Sequence, residues 1–156
     1  MASTNPDLLQ PSLTSARVER SPYSQQAHVL SAFFGGPLSA LAMSGINAYR
    51  LRRIEKDAPW LIVAMVLYLS FEVWLAIDPG GQDFVRWAGS WAGSNALTYV
   101  TRALALAFFA IGTVMHRREH TATDLMGLKR PSGWILGFGL VAGGILATTA
   151  LRNLLQ

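Results

Sequence analysis

Two charged side chains stand inside apolar stretches of this 156-residue chain, Glu72 in LIVAMVLYLSFEVWLAI and Arg102 in ALTYVTRALALAFFAIG. A lone charge in hydrocarbon costs about 2.5–3.5 kcal/mol or more, so a carboxylate and a guanidinium at one depth are expected to neutralise each other. Read as helices rising about 1.5 Å per residue, the two stretches put Glu72 and Arg102 each about 10 Å below the same surface. Asn95, Thr98 and Arg102 share a helical face and extend the pair into a polar seam. Such an ion pair either fixes two neighbouring helices or forms part of a proton or anion path.

Other chemistry is sparse. His116-Arg117-Arg118-Glu119-His120 matches the H-x-x-E-H pattern that places two histidine ligands and a general base on one helical turn. Its arginines repel a cation, so the stretch reads as a solvated face near lipid headgroups, and no metal is expected. His28 is placed at the opposite surface, which leaves a haem without a ligand pair, and no cofactor is expected. The chain has no cysteine, which excludes thiolate nucleophiles, disulfide exchange and thiolate metal sites. It contains no Ser-His-Asp arrangement, phosphate-binding loop or dinucleotide fingerprint, and it reads as a non-enzyme.

Small residues recur four apart in two places, at Ala32, Gly36, Ala40 and Ser44, and at Gly139, Gly143 and Ala147. That spacing lets helix backbones approach closely where lipid supplies no hydrophobic drive. Both rows are expected to be packing surfaces, against each other or against a second copy or a partner membrane protein. Pro37 removes a backbone hydrogen bond and predicts a kink in the first helix. The run Phe33-Phe34-Gly35-Gly36-Pro37-Leu38, with the small residues, Asn47 and the basic cluster that follow, resembles a first-helix pattern of small bacterial membrane proteins of no known function. The resemblance implies a bacterial inner-membrane location and carries no activity.

The elements that must hold these residues are four apolar spans at 28–49, 59–78, 95–115 and 133–151, each near the roughly 20 residues needed to cross a bilayer. Composition agrees, with 51% hydrophobic and only 14% charged residues, where soluble domains carry about 25% charged. The fold class is therefore all-α, a four-helix transmembrane domain over 27–156 behind a flexible polar tail at 1–26. Between spans two and three, Phe84, Trp87 and Trp91 recur at helical spacing, as in a short helix lying at the bilayer interface. The net charge of +4 comes from basic clusters beside apolar runs, which suit anionic lipid headgroups and not nucleic acid. Basic loops at 50–57 and 116–132 carry eight Lys and Arg, against Arg17, Arg20, Arg86 and Arg152 on the other side. The count puts both loops in the cytoplasm and both termini outside. An accessory or interaction subunit is the function expected first, and a small oligomeric transporter or channel using Glu72 and Arg102 second.

Overall fold

The computed structural model describes residues 21–155 except 126 and 128. Most of the tail expected at 1–26 therefore lies outside the described residues. The helices run α1 (Gln25–Arg50), α2 (Ile54–Ile77), α3 (Pro79–Ala92), α4 (Ala96–Met115), α5 (Arg117–Leu125) and α6 (Trp134–Leu155), with one 3-10 turn at Gly93–Asn95. No strand occurs among the described residues. Four stretches are long and apolar enough to cross a membrane: α1, α2, Pro79–Met115 and α6.

The kink expected at Pro37 is a full reversal. A straight helix would hold Tyr23 and Asn47 about 36 Å apart, yet the Tyr23 amide donates to Asn47 Oδ1 at 2.9 Å. Arg50 Nε likewise donates to the Ser21 carbonyl at 2.9 Å, and His28 Nε2 lies 3.2 Å from both the Ala40 carbonyl and Ser44 Oγ. The chain turns back at Gly36, whose φ of 75° and ψ of −167° fall outside the helix in a region essentially reserved for glycine. Pro37 then opens the returning arm, where its missing N–H removes nothing. α1 is thus a helical hairpin with arms at 25–35 and 37–50. The small-residue row is split between them: Ala32 lies on the outgoing arm, Ala40 and Ser44 on the returning one, and all three are buried.

The hairpin sets the packing of everything else. Its returning arm meets α2, where Gly45 faces Leu61. Its outgoing arm meets α4, with His28 edge-on to Phe109 at 4.8 Å. The same arm runs beside α6 from Tyr23, which touches Gly133, to Gly35, which touches Gly144. Ala32, Ala40, Leu41, Ala64, Tyr68, Ala105 and Phe108 form the core. The start of α1 bonds to the segment before α6 through Ser24 and the carbonyls of Pro131 and Ser132. One end of the bundle therefore holds the start of α1, the α1–α2 turn, α5 and the start of α6. The other end holds α3 and the end of α6.

This arrangement bears on two expectations. The described residues enter at the basic end, and α6 finishes at the opposite one. Within this chain α6 packs through other glycines. Gly139, Gly143 and Ala147 are exposed, and an added Cβ at either glycine would meet nothing within 4 Å. Gly137 and Gly144 are buried instead, because the hairpin tip presses backbone against backbone at Gly144, where a Cβ would collide with the Gly35 carbonyl and the Ser39 hydroxyl.

The aromatic segment between α2 and α4 is helical as expected, and longer. Asp78 caps it by accepting from the Gly80 amide at 2.8 Å, and Trp74, Phe84, Trp87 and Trp91 stack in sequence with centroids 5.8–6.3 Å apart. Trp87 and Trp91 are 59% and 80% exposed.

Candidate functional site at the hairpin tip

Glu72 is 2% exposed, and it is paired, but with Arg152 and not with Arg102. Arg152 Nε donates to Oε2 and Nη2 to Oε1, both at 3.0 Å, the two-pronged geometry that suits guanidinium to carboxylate. Tyr68 Oη donates to the same carboxylate at 3.0 Å and lies 3.4 Å from Thr148 Oγ1. Two physical reasons defeat the expected pair. The hairpin packs against both α2 and α4 and holds their backbones apart. α6 also continues to Leu155, one turn beyond the expected span, which brings Arg152 to the depth of Glu72 as a helix residue. Equal distance from helix ends on the same side was the signal available in the sequence for Arg152; none marked Tyr68 or Thr148.

Arg102 lies about 9 Å along α4 from its first residue, with its guanidinium carbon 4.9 Å from the centroid of the Phe33 ring. It has no carboxylate partner among the described residues. The Phe33 face provides a cation–π contact, which leaves the positive charge unneutralised. Beside it the hairpin tip, Gly35 to Pro37, borders an open cavity of about 290 Å³ whose polar lining includes Arg102, Arg152, Tyr68, Thr98 and Thr149. A second cavity of about 450 Å³, almost wholly apolar, follows the outgoing arm and α6 and also ends on Arg102. A third, about 380 Å³, lies under α3 against Glu72, Arg86 and Arg152.

The basic end is built differently. Asp57, 1% exposed, has Oδ2 at 2.7 Å from His116 Nε2 and Oδ1 at 3.6 Å from Arg53 Nη2. Arg53 also bonds to Glu119. His116 and His120, expected on a solvated face, are 4% and 7% exposed. Their rings sit 6.5 Å apart, and no group of three such side chains among the described residues could hold a metal ion. Burial, with Arg130 and His116 nearby, pushes the His120 pKa below its ordinary value. His28 lies in this same half, not at the opposite surface, because α1 begins there. Arg50 completes the belt, its guanidinium 4.4 Å from the centroid of Tyr23.

Compared with known proteins, the chain matches no family model, no curated protein and no solved structure.

Proposed function

We propose that this chain is a multi-pass membrane protein of transporter or channel type, whose ligand site is the chamber at the hairpin tip. What supports the reading is the reversal at Gly36. It gives α2, α4 and α6 as three crossings and leaves α1 as a re-entrant hairpin that ends at mid-depth on a polar cavity. Non-helical backbone at such depth is tolerated where it is buried or lines a water-filled space, and broken helices in transporters place their ends at substrates. Charge supports an orientation too: among the described residues, the eight Lys and Arg of the two basic loops face Arg86 and Arg152. The basic end is then cytoplasmic, with the start of α1 inside and the end of α6 outside. α3 lies on the outer interface with Trp87 and Trp91 toward the headgroups. The resemblance of the first helix suggests the bacterial inner membrane. No catalytic step is assigned.

One observation favours a second reading, an accessory subunit. The exposed row Gly139, Gly143 and Ala147 offers a partner helix a close approach.

The absence of native cysteine makes the test clean. Single cysteines at Gln26 and Lys56 should react with an impermeant thiol reagent from one side, and a cysteine at Asn153 from the other. Thr149→Cys should react from the Asn153 side, while Leu146→Cys, facing lipid, should not. Labelling of Gln26 and Asn153 from one side, or an inert Thr149→Cys, overturns the reading.

A further inference from the structure

We infer that the ligand of this chamber is a single-chain anionic amphiphile, its oxyanion head on Arg102 and its tail in the apolar groove between the outgoing arm of α1 and α6. The inference rests on the proposed ligand site and adds its chemistry. Charge is the first observation. Arg152 is neutralised by Glu72, whereas Arg102 has no carboxylate among the described residues, so the chamber carries one uncompensated positive charge. A guanidinium at such depth is stable when an anion meets it, and its planar fork grips a carboxylate or phosphate at two oxygens. The Thr98 and Thr149 hydroxyls, uncommitted to other described residues, line the same chamber and can donate to that anion.

Continuity is the second observation. Phe34, Arg102 and Ile145 line both the polar chamber and the apolar groove, so the charge sits on the seam between them. From that seam the groove passes Leu30, Val141 and Phe138 to Trp134, eleven residues along α6 from Ile145, about 16 Å of helix. A small inorganic anion would leave this groove empty. At about 450 Å³ the groove that leaves the seam suits one chain and not the two of a phospholipid. The wall is open toward lipid, with Phe34 and Phe138 at 55% and 67% exposed, so the ligand enters sideways from the bilayer.

The test uses the full chain in phosphatidylcholine nanodiscs, with dibromostearate as a quencher of Trp134, which borders the groove. Wild-type emission should fall saturably, and most of that component should vanish in Trp134→Phe. Oleate should displace the probe, and Arg102→Gln should weaken binding at least tenfold, with partial recovery in Arg102→Lys and no change in Arg117→Gln. Oleate should raise the melting temperature of the wild type and leave Arg102→Gln unmoved. Quenching that grows without saturation, alike in wild type and Arg102→Gln, means partition into lipid and overturns the inference. Displacement by inorganic phosphate means a small-anion site, and displacement by phosphatidylglycerol a two-chain lipid site; either outcome rejects the single-chain ligand. The two proposals fail separately. Saturable quenching with an inert Thr149→Cys keeps the amphiphile and removes the solute path, and a reactive Thr149→Cys without saturable quenching does the reverse.

Discussion

The two ends of the bundle use polar residues in opposite ways. At the basic end, side chains from distant segments are tied into a belt: Ser21 to Lys129, Ser24 to Ser132, Tyr23 to Asn47, Asp57 to His116, Arg53 to Glu119. These bonds hold the mouth of the hairpin shut against α2 and α6. At the tip, one ion pair and one tyrosine complete their bonding, and Arg102, Thr98 and Thr149 are left facing a cavity. A polar group tied to its own chain serves architecture; one left facing a cavity without a hydrogen-bond partner is available to a ligand. The contrast separates the residues whose loss should unfold the protein from those whose loss should disarm it.

The sharpest way to break that contrast is at the tip contact. Gly144→Leu forces a side chain into the Gly35 carbonyl and the Ser39 hydroxyl, and overpacking without room to relax should destabilise by about 3 kcal/mol or more. Gly143→Leu, one residue away and exposed with open space around it, should leave the melting temperature of the detergent-solubilised protein unchanged. A comparable loss in Gly143→Leu would reassign α6 packing to its exposed face and favour a second copy there.

Next comes the ion pair. Glu72→Gln and Arg152→Leu should each destabilise by about 2 kcal/mol, less than the 3–5 kcal/mol of a fully buried pair, because the Arg152 side chain is 37% exposed and water screens it. The double mutant should recover much of this, with a coupling well above the ~0.6 kcal/mol of ordinary bonds between membrane helices. Glu72→Gln combined with Arg102→Gln should be additive. Coupling between Glu72 and Arg102 in unfolding measurements would refute the observed pairing.

A smaller effect belongs to the basic end. The His120 pKa is lowered by burial first and then by Arg130 and His116, while Asp124 and Glu119 oppose the shift. As pH falls below the ordinary histidine value of about 6.5, the unfolded chain takes a proton that the native state resists. Stability is therefore lost with falling pH until the native value is passed. Melting curves between pH 7.5 and 5 should show this slope, and His120→Gln should flatten it. An unchanged slope would mean that another group titrates.

The smallest effect is expected on α3. Arg86 and Asp83 pair at 2.5 Å, but their side chains are 75% and 71% exposed. Arg86→Ala should change stability by less than about 0.5 kcal/mol, as read from the same melts.

Composition and periodicity alone determined that the described residues are helical without strands, where the long apolar helices begin and end to within five residues, and that an aromatic helix joins α2 to α4. These features rest on local properties, namely hydrophobic runs long enough for a bilayer and aromatic residues at helical spacing. They also marked Glu72 and Arg102 as charges needing an explanation. What they could not supply was the direction of the chain after Gly36. Gly-Gly-Pro is compatible with a kink or a reversal, and the choice is made by distant contacts: Asn47 and Arg50 tying back to residues 21 and 23, and Gly144 admitting the tip. Once the hairpin stands between α2 and α4, Glu72 meets Arg152, Arg102 is left without a carboxylate among the described residues, and the first residue of α1 moves to the basic end. Each of these outcomes depends on which helices are neighbours. Neighbourhood is a property of the packed bundle, because glycine rows at 137 and 144 and at 139 and 143 are equally good in sequence and only one can face the hairpin.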